Sequence, residues 1–171
     1  MKLEPIIEMP CMVTGNWRRF AVHVFEGKAT LADMAAIEAS SERWHAKIPD
    51  QIVEMVIILP SGAKMTGDER TKMTHIIKRW ESTRIASATI VRAQGLLGSL
   101  HRSVLTGLQM VAPPPHPIKV FGTIDDGLRW LAPHIQKSCG VDATVDALIV
   151  AVDDLITHFG KRPVKAPMTD V

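Results

Sequence analysis

The feature of this sequence that most limits its fold is the repeated change of its hydrophobic period. Residues 53–59 (VEMVIIL), 85–91 (IASATIV) and 118–122 (IKVFG) form short, β-branched and mostly apolar runs, which is typical of buried strands. Between them, residues 30–48 and 66–83 space their apolar side chains at the helical period of 3.6. Strands that alternate with helices predict an α/β fold with a mostly parallel sheet, covered by helices on both faces.

Three predicted helices begin with the same pair of residues, a threonine followed three positions later by a carboxylate. A threonine side chain can accept from the third backbone N–H of a helix, while the carboxylate accepts from the N–H of the threonine. The pairs are Thr30 with Asp33, Thr66 with Glu69, and Thr123 with Asp126.

The N-terminal part of the chain adds further strands. Residues 19–27 alternate large side chains on both faces, which predicts a strand covered on both sides. An earlier strand is predicted near Ile6 to Val13, with Asn16 and Trp17 as a turn into the next strand. The sequence therefore predicts a mixed sheet of about five strands.

The C-terminal part is predicted to form one more helix, residues 142–159, with a wide apolar stripe. Gly140 should end the preceding helix and Asp142 should cap the new one. The stripe must be buried on its own domain or on a second copy of the chain, so a homodimer through this helix is one prediction. We expect residues 1–160 to form a single domain and residues 161–171 to be a flexible tail.

Composition excludes several classes of function. A net charge of +2 over 171 residues gives no concentrated basic face, so nucleic acid is not expected as a partner. No apolar run approaches the ~20 residues of a membrane span. The two cysteines stand in no motif, which favours a cytoplasmic protein with free thiols.

The run GLLGSLHRSVLTGL, residues 95–108, has the residue types of a site but matches no phosphate-loop or nucleophile motif. One interpretation is a helix packed through its line of small residues. The alternative is an anion-binding loop at the carboxyl end of a strand, where Ser99, His101 and Arg102 would contact a ligand or partner.

Residues 60–69 (PSGAKMTGDE) allow two similar interpretations. Ser61, Lys64 and the helix start at Thr66 suit a phosphate group. The capping pair of Thr66 and Glu69 accounts for the same residues without a ligand. The histidines show no metal-ligand spacing, so no metal and no cofactor are predicted, and His23 is expected to be a hydrogen-bonded core residue.

Residues 104–131 contain Gly107-Leu108, a short strand at Val120-Phe121, Thr123, and Gly127-Leu128 followed by Leu131. In this order they resemble a STAS-type domain, the fold of bacterial anti-sigma-factor antagonists. The resemblance implies a STAS-like fold, here with an extra C-terminal helix. It also implies a non-catalytic regulatory or binding module with a protein partner, such as a kinase or regulatory factor.

Members of that family carry an Asp-x-Ser-type loop after the third strand, in which a kinase phosphorylates Ser or Thr. The corresponding loop here holds Ser61 and Thr66, with no Asp before either, and these are the candidate phosphorylation sites that the resemblance implies. Two other functions stay open. One is an apolar-ligand or lipid carrier with its ligand between the last helix and the sheet. The other is a small transferase or hydrolase that uses loops 60–66 and 95–103, for which no catalytic residue stands out.

Overall fold

A computed structural model describes residues 1–48, 51–60, 66–92, 115–140 and 143–161. Six strands form one sheet in their order along the chain. They are β1 (Glu4–Met9), β2 (Met12–Trp17), β3 (Phe20–Phe25), β4 (Ile52–Ile58), β5 (Arg84–Val91) and β6 (Ile118–Phe121). The pairs β1–β2 and β2–β3 are antiparallel, whereas β3 to β6 run parallel. The prediction of a mixed, mostly parallel sheet is thus confirmed.

The sheet has one strand more than predicted because the N-terminal segment is a hairpin. The expected strand from Ile6 to Val13 is wrong: the chain turns at Pro10 and Cys11, between β1 and β2. The predicted turn at Asn16 and Trp17 is also wrong, since both residues lie in β2. The chain turns one residue later, where Arg18 adopts the left-handed backbone conformation with φ of +54°.

Helices lie on both faces of the sheet. They are α1 (Leu31–His45), α2 (Gly67–Arg79), α3 (Ile124–Cys139) and α4 (Val145–Gly160), with a 3-10 turn at Glu81–Thr83. The helix starts at Thr30, Thr66 and Thr123 are where the sequence predicts them. None of the described helices is long and apolar enough to cross a membrane.

The capping groups explain where these helices begin and end. Oγ1 of Thr30 accepts from the N–H of Asp33 at 3.1 Å, and Asp33 accepts from the N–H of Thr30 at 2.9 Å. Gly140 ends α3 in the left-handed conformation, as predicted. The last helix begins later than expected: Thr144, not Asp142, is its N-cap, and Asp142 lies outside the described residues.

Helices α3 and α4 cover one face of the sheet, which we call the α3/α4 face. Every second residue along the strands points to this side, and these side chains are fully buried and apolar. They form one core with the apolar stripes of both helices. The residues from the sheet are Val13, Phe20, Val22, Val24, Val53, Met55, Ile57, Ala86, Ala88 and Ile90. The stripe of α4 is therefore buried within its own chain, and association through this helix stays a prediction.

Helices α1 and α2 cover the opposite, α1/α2 face. Here the apolar side chains fall into two smaller clusters, one around Met12, Met34 and Ile76 and the other around Trp44 and Ile52. Polar side chains occupy the sheet between these clusters. This face differs from the α3/α4 face in both composition and packing, and it holds the candidate site.

Candidate ligand-binding cavity

Polar side chains from four adjacent strands make contact on the α1/α2 face. Oγ1 of Thr14 in β2 lies 2.8 Å from Nδ1 of His23 in β3. Nε2 of His23 lies 3.2 Å from Oε1 of Glu54 in β4, and the hydroxyl of Ser87 in β5 donates to Oε2 of Glu54 at 2.9 Å. Strand register explains the contacts, because Thr14 pairs with His23 and Glu54 pairs with Ser87.

Glu54 forms a buried ion pair with Arg84, the first residue of β5. Nε of Arg84 lies 2.8 Å from Oε2 of Glu54, and both side chains are 9% exposed. The angle at Nε does not fit a hydrogen bond, so the contact is chiefly electrostatic. Burial disfavours the charged carboxylate, but Arg84 and His23 outweigh burial and hold the pKa of Glu54 well below its usual range.

A cavity of about 330 Å³ lies between these polar side chains and helices α1 and α2. Its size is at the lower end of the range for small-molecule sites. Val56 and Thr89 form part of its floor and are only half-buried, although they lie in the central strands β4 and β5. Most of the wall is apolar, and these side chains are Ile7, Met12, Phe25, Ile37, Ile58, Met73, Ile76, Ile77 and Ile118.

Three aromatic rings pack together at the ends of α1 and α2. The imidazole of His45 lies parallel to the indole of Trp80, with 4.1 Å between ring centroids, and 4.8 Å from the ring of Trp44. All three side chains line the cavity. The buried Nε1 of Trp44, Nε1 of Trp80 and Nδ1 of His45 have no hydrogen-bond partner among the residues that the structure describes.

A second histidine contributes more unpaired atoms. His116 precedes β6, lines the cavity and is buried, and neither of its ring nitrogens is hydrogen-bonded within the described part of the chain. Burial, together with the nearby Arg84, lowers the pKa of His45 to about 4 and lowers that of His116 as well. His45 is therefore neutral at pH 7, with one ring nitrogen able to donate and the other able to accept.

The chemistry of this site suits binding better than catalysis. The hydroxyl of Ser87 donates to Glu54, and the low pKa of that carboxyl makes it a poor general base at neutral pH. Buried polar atoms are normally hydrogen-bonded, and each unpaired one costs about 1–3 kcal/mol. Several residues that line this one apolar cavity carry unpaired nitrogens, which are what a ligand with a complementary polar group would satisfy.

Most of the residues proposed as sites from the sequence cannot be placed. Ser61, Lys64, Ser99, His101 and Arg102 lie outside the described residues. Thr66 is exposed at the start of α2, where its N–H donates to Oε2 of Glu69 at 2.6 Å. Its phosphorylation, like that of Ser61, stays a prediction.

The expectation for His23 is met, since both of its ring nitrogens have a polar neighbour. The cavity of about 330 Å³ lies under α1 and α2, and a ligand between the last helix and the sheet stays a prediction. The sequence pattern did offer one signal that was missed, a lone Glu54 within an otherwise apolar central strand. A charge in such a strand needs a partner inside the fold.

Comparison with known proteins supports the fold. No protein-family model and no curated protein matches the chain. Among solved structures, it is similar to an uncharacterized protein of the DUF3478 family from Shewanella loihica PV-4, which has a SpoIIAA-like fold. The match covers 70% of this chain and 91% of that one, with 17% sequence identity and a TM-score of 0.50. The chain therefore has a SpoIIAA-like, STAS-type fold, as its sequence resemblance implies.

Proposed function

We propose that this STAS-type chain is a non-catalytic binding module that holds a small, largely apolar molecule in the cavity between its sheet and helices α1 and α2. The proposal selects one of the functions left open by the sequence, the apolar-ligand carrier, and moves its site to the α1/α2 face. A regulatory role in which the bound ligand alters contact with a protein partner is compatible with it.

The difference between the two faces of the sheet is the observation that supports the proposal. On the α3/α4 face, the side chains of β3, β4 and β5 are fully buried in one apolar core. On the α1/α2 face, the same strands present half-buried side chains and an ion pair to a cavity, and residues with unpaired polar atoms from α1, the end of α2 and the start of β6 complete its wall. Protein interiors are normally close-packed, and empty volume beside unsatisfied polar groups is costly.

Binding of a neutral apolar fluorophore tests the proposal. N-phenylnaphthylamine, which fluoresces strongly only in apolar surroundings, should bind the protein with a saturable signal and a stoichiometry of one. A Val56→Phe variant should abolish the signal because the added ring fills the floor of the cavity. A Val150→Phe variant is the matched control, since Val150 is 59% exposed on α4 and adds the same ring away from the cavity.

The two variants separate a specific site from general hydrophobic binding. The proposal requires that Val150→Phe binds the fluorophore as the unchanged protein does, and that Val56→Phe does not while it stays folded by circular dichroism. Equal signals from both variants would mean that the fluorophore binds elsewhere, and the proposed function would fail.

A further inference from the structure

We infer that the ligand of this cavity carries an uncharged hydrogen-bond acceptor, such as the carbonyl oxygen of a ketone or an ester, on its otherwise apolar body. The inference rests on the proposed function, because it names the class of molecule that the cavity under α1 and α2 would hold. It follows from which polar atoms of the wall are paired and which are not.

The unpaired groups of the wall include two obligate donors. An indole N–H can donate but cannot accept, and the N–H groups of Trp44 and Trp80 are both buried without a partner in the described part of the chain. The neutral imidazole of His116 adds one donor and one acceptor, and the unpaired Nδ1 of His45 adds a donor or an acceptor according to its tautomer. A ligand that satisfies the tryptophans must therefore bring an oxygen or another acceptor.

The carboxylate of Glu54 and the guanidinium of Arg84, the charged pair of the wall, already contact protein atoms. Oε1 of Glu54 faces His23, and Oε2 of Glu54 faces both Ser87 and Arg84. Nη1 of Arg84 also donates to the backbone oxygen of Ile77 at 2.9 Å. The charge of Arg84 is thus already matched by Glu54, and its Nη1 is held by a protein oxygen.

The charge balance of the wall argues against an anionic ligand. Histidines aside, the charged side chains among the described lining residues are Arg84, Glu54 and Glu81, one positive and two negative. An ionised carboxylate or phosphate would lose its hydration without gaining a free cation, which is strongly unfavourable in an apolar site. A neutral carbonyl has a much smaller desolvation cost and supplies the acceptor that the unpaired N–H groups lack.

Competition among three probes tests the inference. A medium-chain methyl ketone, the alkane of the same carbon number and the carboxylate of the same carbon number are each used to displace N-phenylnaphthylamine at pH 8. The measurement is repeated for Trp44→Phe and Trp80→Phe, which remove the indole N–H and keep an aromatic ring. Trp130→Phe is the control, because Trp130 packs on Phe121 and against the core of the α3/α4 face, away from the cavity.

The ratio of ketone to alkane affinity isolates the hydrogen bond from changes in shape. Each of the two cavity variants should lower this ratio by about fivefold, the equivalent of one lost neutral hydrogen bond. Trp130→Phe should leave the ratio unchanged, and the carboxylate should be the weaker competitor of the two oxygen-containing probes.

Other outcomes overturn the inference in distinguishable ways. Stronger competition by the carboxylate would show an anion site, and an unchanged ratio in both cavity variants would show that the indoles do not contact the acceptor. In either case the cavity still binds apolar molecules and the proposed function stands. If neither the fluorophore nor any probe binds, the proposed function fails together with the inference.

Discussion

The Glu54–Arg84 ion pair gives the sharpest prediction about stability. Glu54→Gln keeps the shape of the side chain, and its amide oxygen can still accept from Ser87, but Arg84 is left without an opposite charge. Since the side chain of Arg84 is 9% exposed, the loss resembles the breaking of a buried pair, which costs about 3–5 kcal/mol. Domains are commonly stable by about 5–15 kcal/mol, so the variant should lose a large part of its free energy of unfolding.

Urea unfolding followed by circular dichroism measures this loss of free energy. In thermal unfolding, the Tm of the variant should be lower by roughly 10 °C. A double variant, Glu54→Met with Arg84→Met, is the informative companion. Replacing both charges by apolar side chains is often neutral, so the double variant should recover most of the lost stability. Glu38→Gln is the control, because Glu38 pairs with Lys72 and Arg79 near the surface and its loss should be clearly smaller.

Two results would refute this reasoning. If Glu54→Gln unfolds at nearly the same urea concentration as the unchanged protein, the pair is not buried as described. If the double variant is no more stable than Glu54→Gln, the cost does not come from an uncompensated Arg84.

Three further predictions concern other parts of the fold. Between pH 6.5 and about 4, the unfolded chain takes up a proton at His45 that the folded chain does not, so this group should lower the free energy of unfolding by about 3 kcal/mol as pH decreases through this range. In urea titrations His45→Phe should remove this contribution, whereas that of His116, whose pKa is also lowered, should remain. Gly127→Ala should lower the free energy of unfolding by about 1 kcal/mol in the same assay, because the added Cβ would overlap Cδ1 of buried Ile90. Gly67→Ala is its control and should be neutral or stabilising, because Gly67 has open space around it. Thr66→Ala should lower the free energy of unfolding by about 1 kcal/mol because it removes the N-cap of α2. If the STAS resemblance extends to regulation, phosphopeptide mapping of the protein from its native cell should find phosphate on Thr66 or Ser61. Unmodified peptides throughout would contradict that extension.

Local chemistry made much of the fold predictable from sequence. The capping pairs at Thr30 and Thr123 act within one turn of helix, so neighbouring residues suffice to predict them. The same is true of Gly140, whose left-handed conformation depends on its own lack of a side chain. The N-terminal hairpin was missed because Pro10 and Cys11 do not form one of the glycine- or asparagine-containing turns that mark tight hairpins.

The site was not predictable in the same way, because its residues meet only through strand register. Thr14, Glu54 and Ser87 are far apart in sequence and become neighbours when β2 to β5 align. Each is unremarkable within its own strand, apart from the charge of Glu54. Trp44 and Trp80 belong to helical apolar stripes in the sequence, and only the packing of α1 against α2 shows that their N–H groups lack partners.

The central claim is that the cavity under α1 and α2 binds a small apolar molecule. The indole N–H signals of the four tryptophans test this claim most directly. Trp44 and Trp80 line the cavity, whereas Trp17 and Trp130 pack against the core of the α3/α4 face. In a ¹⁵N-edited NMR titration with the methyl ketone, the account predicts saturable shifts of the Trp44 and Trp80 signals, with those of Trp17 and Trp130 nearly unmoved. Shifts confined to Trp17 and Trp130, or no shifts at a ketone concentration that displaces the fluorophore, would contradict it.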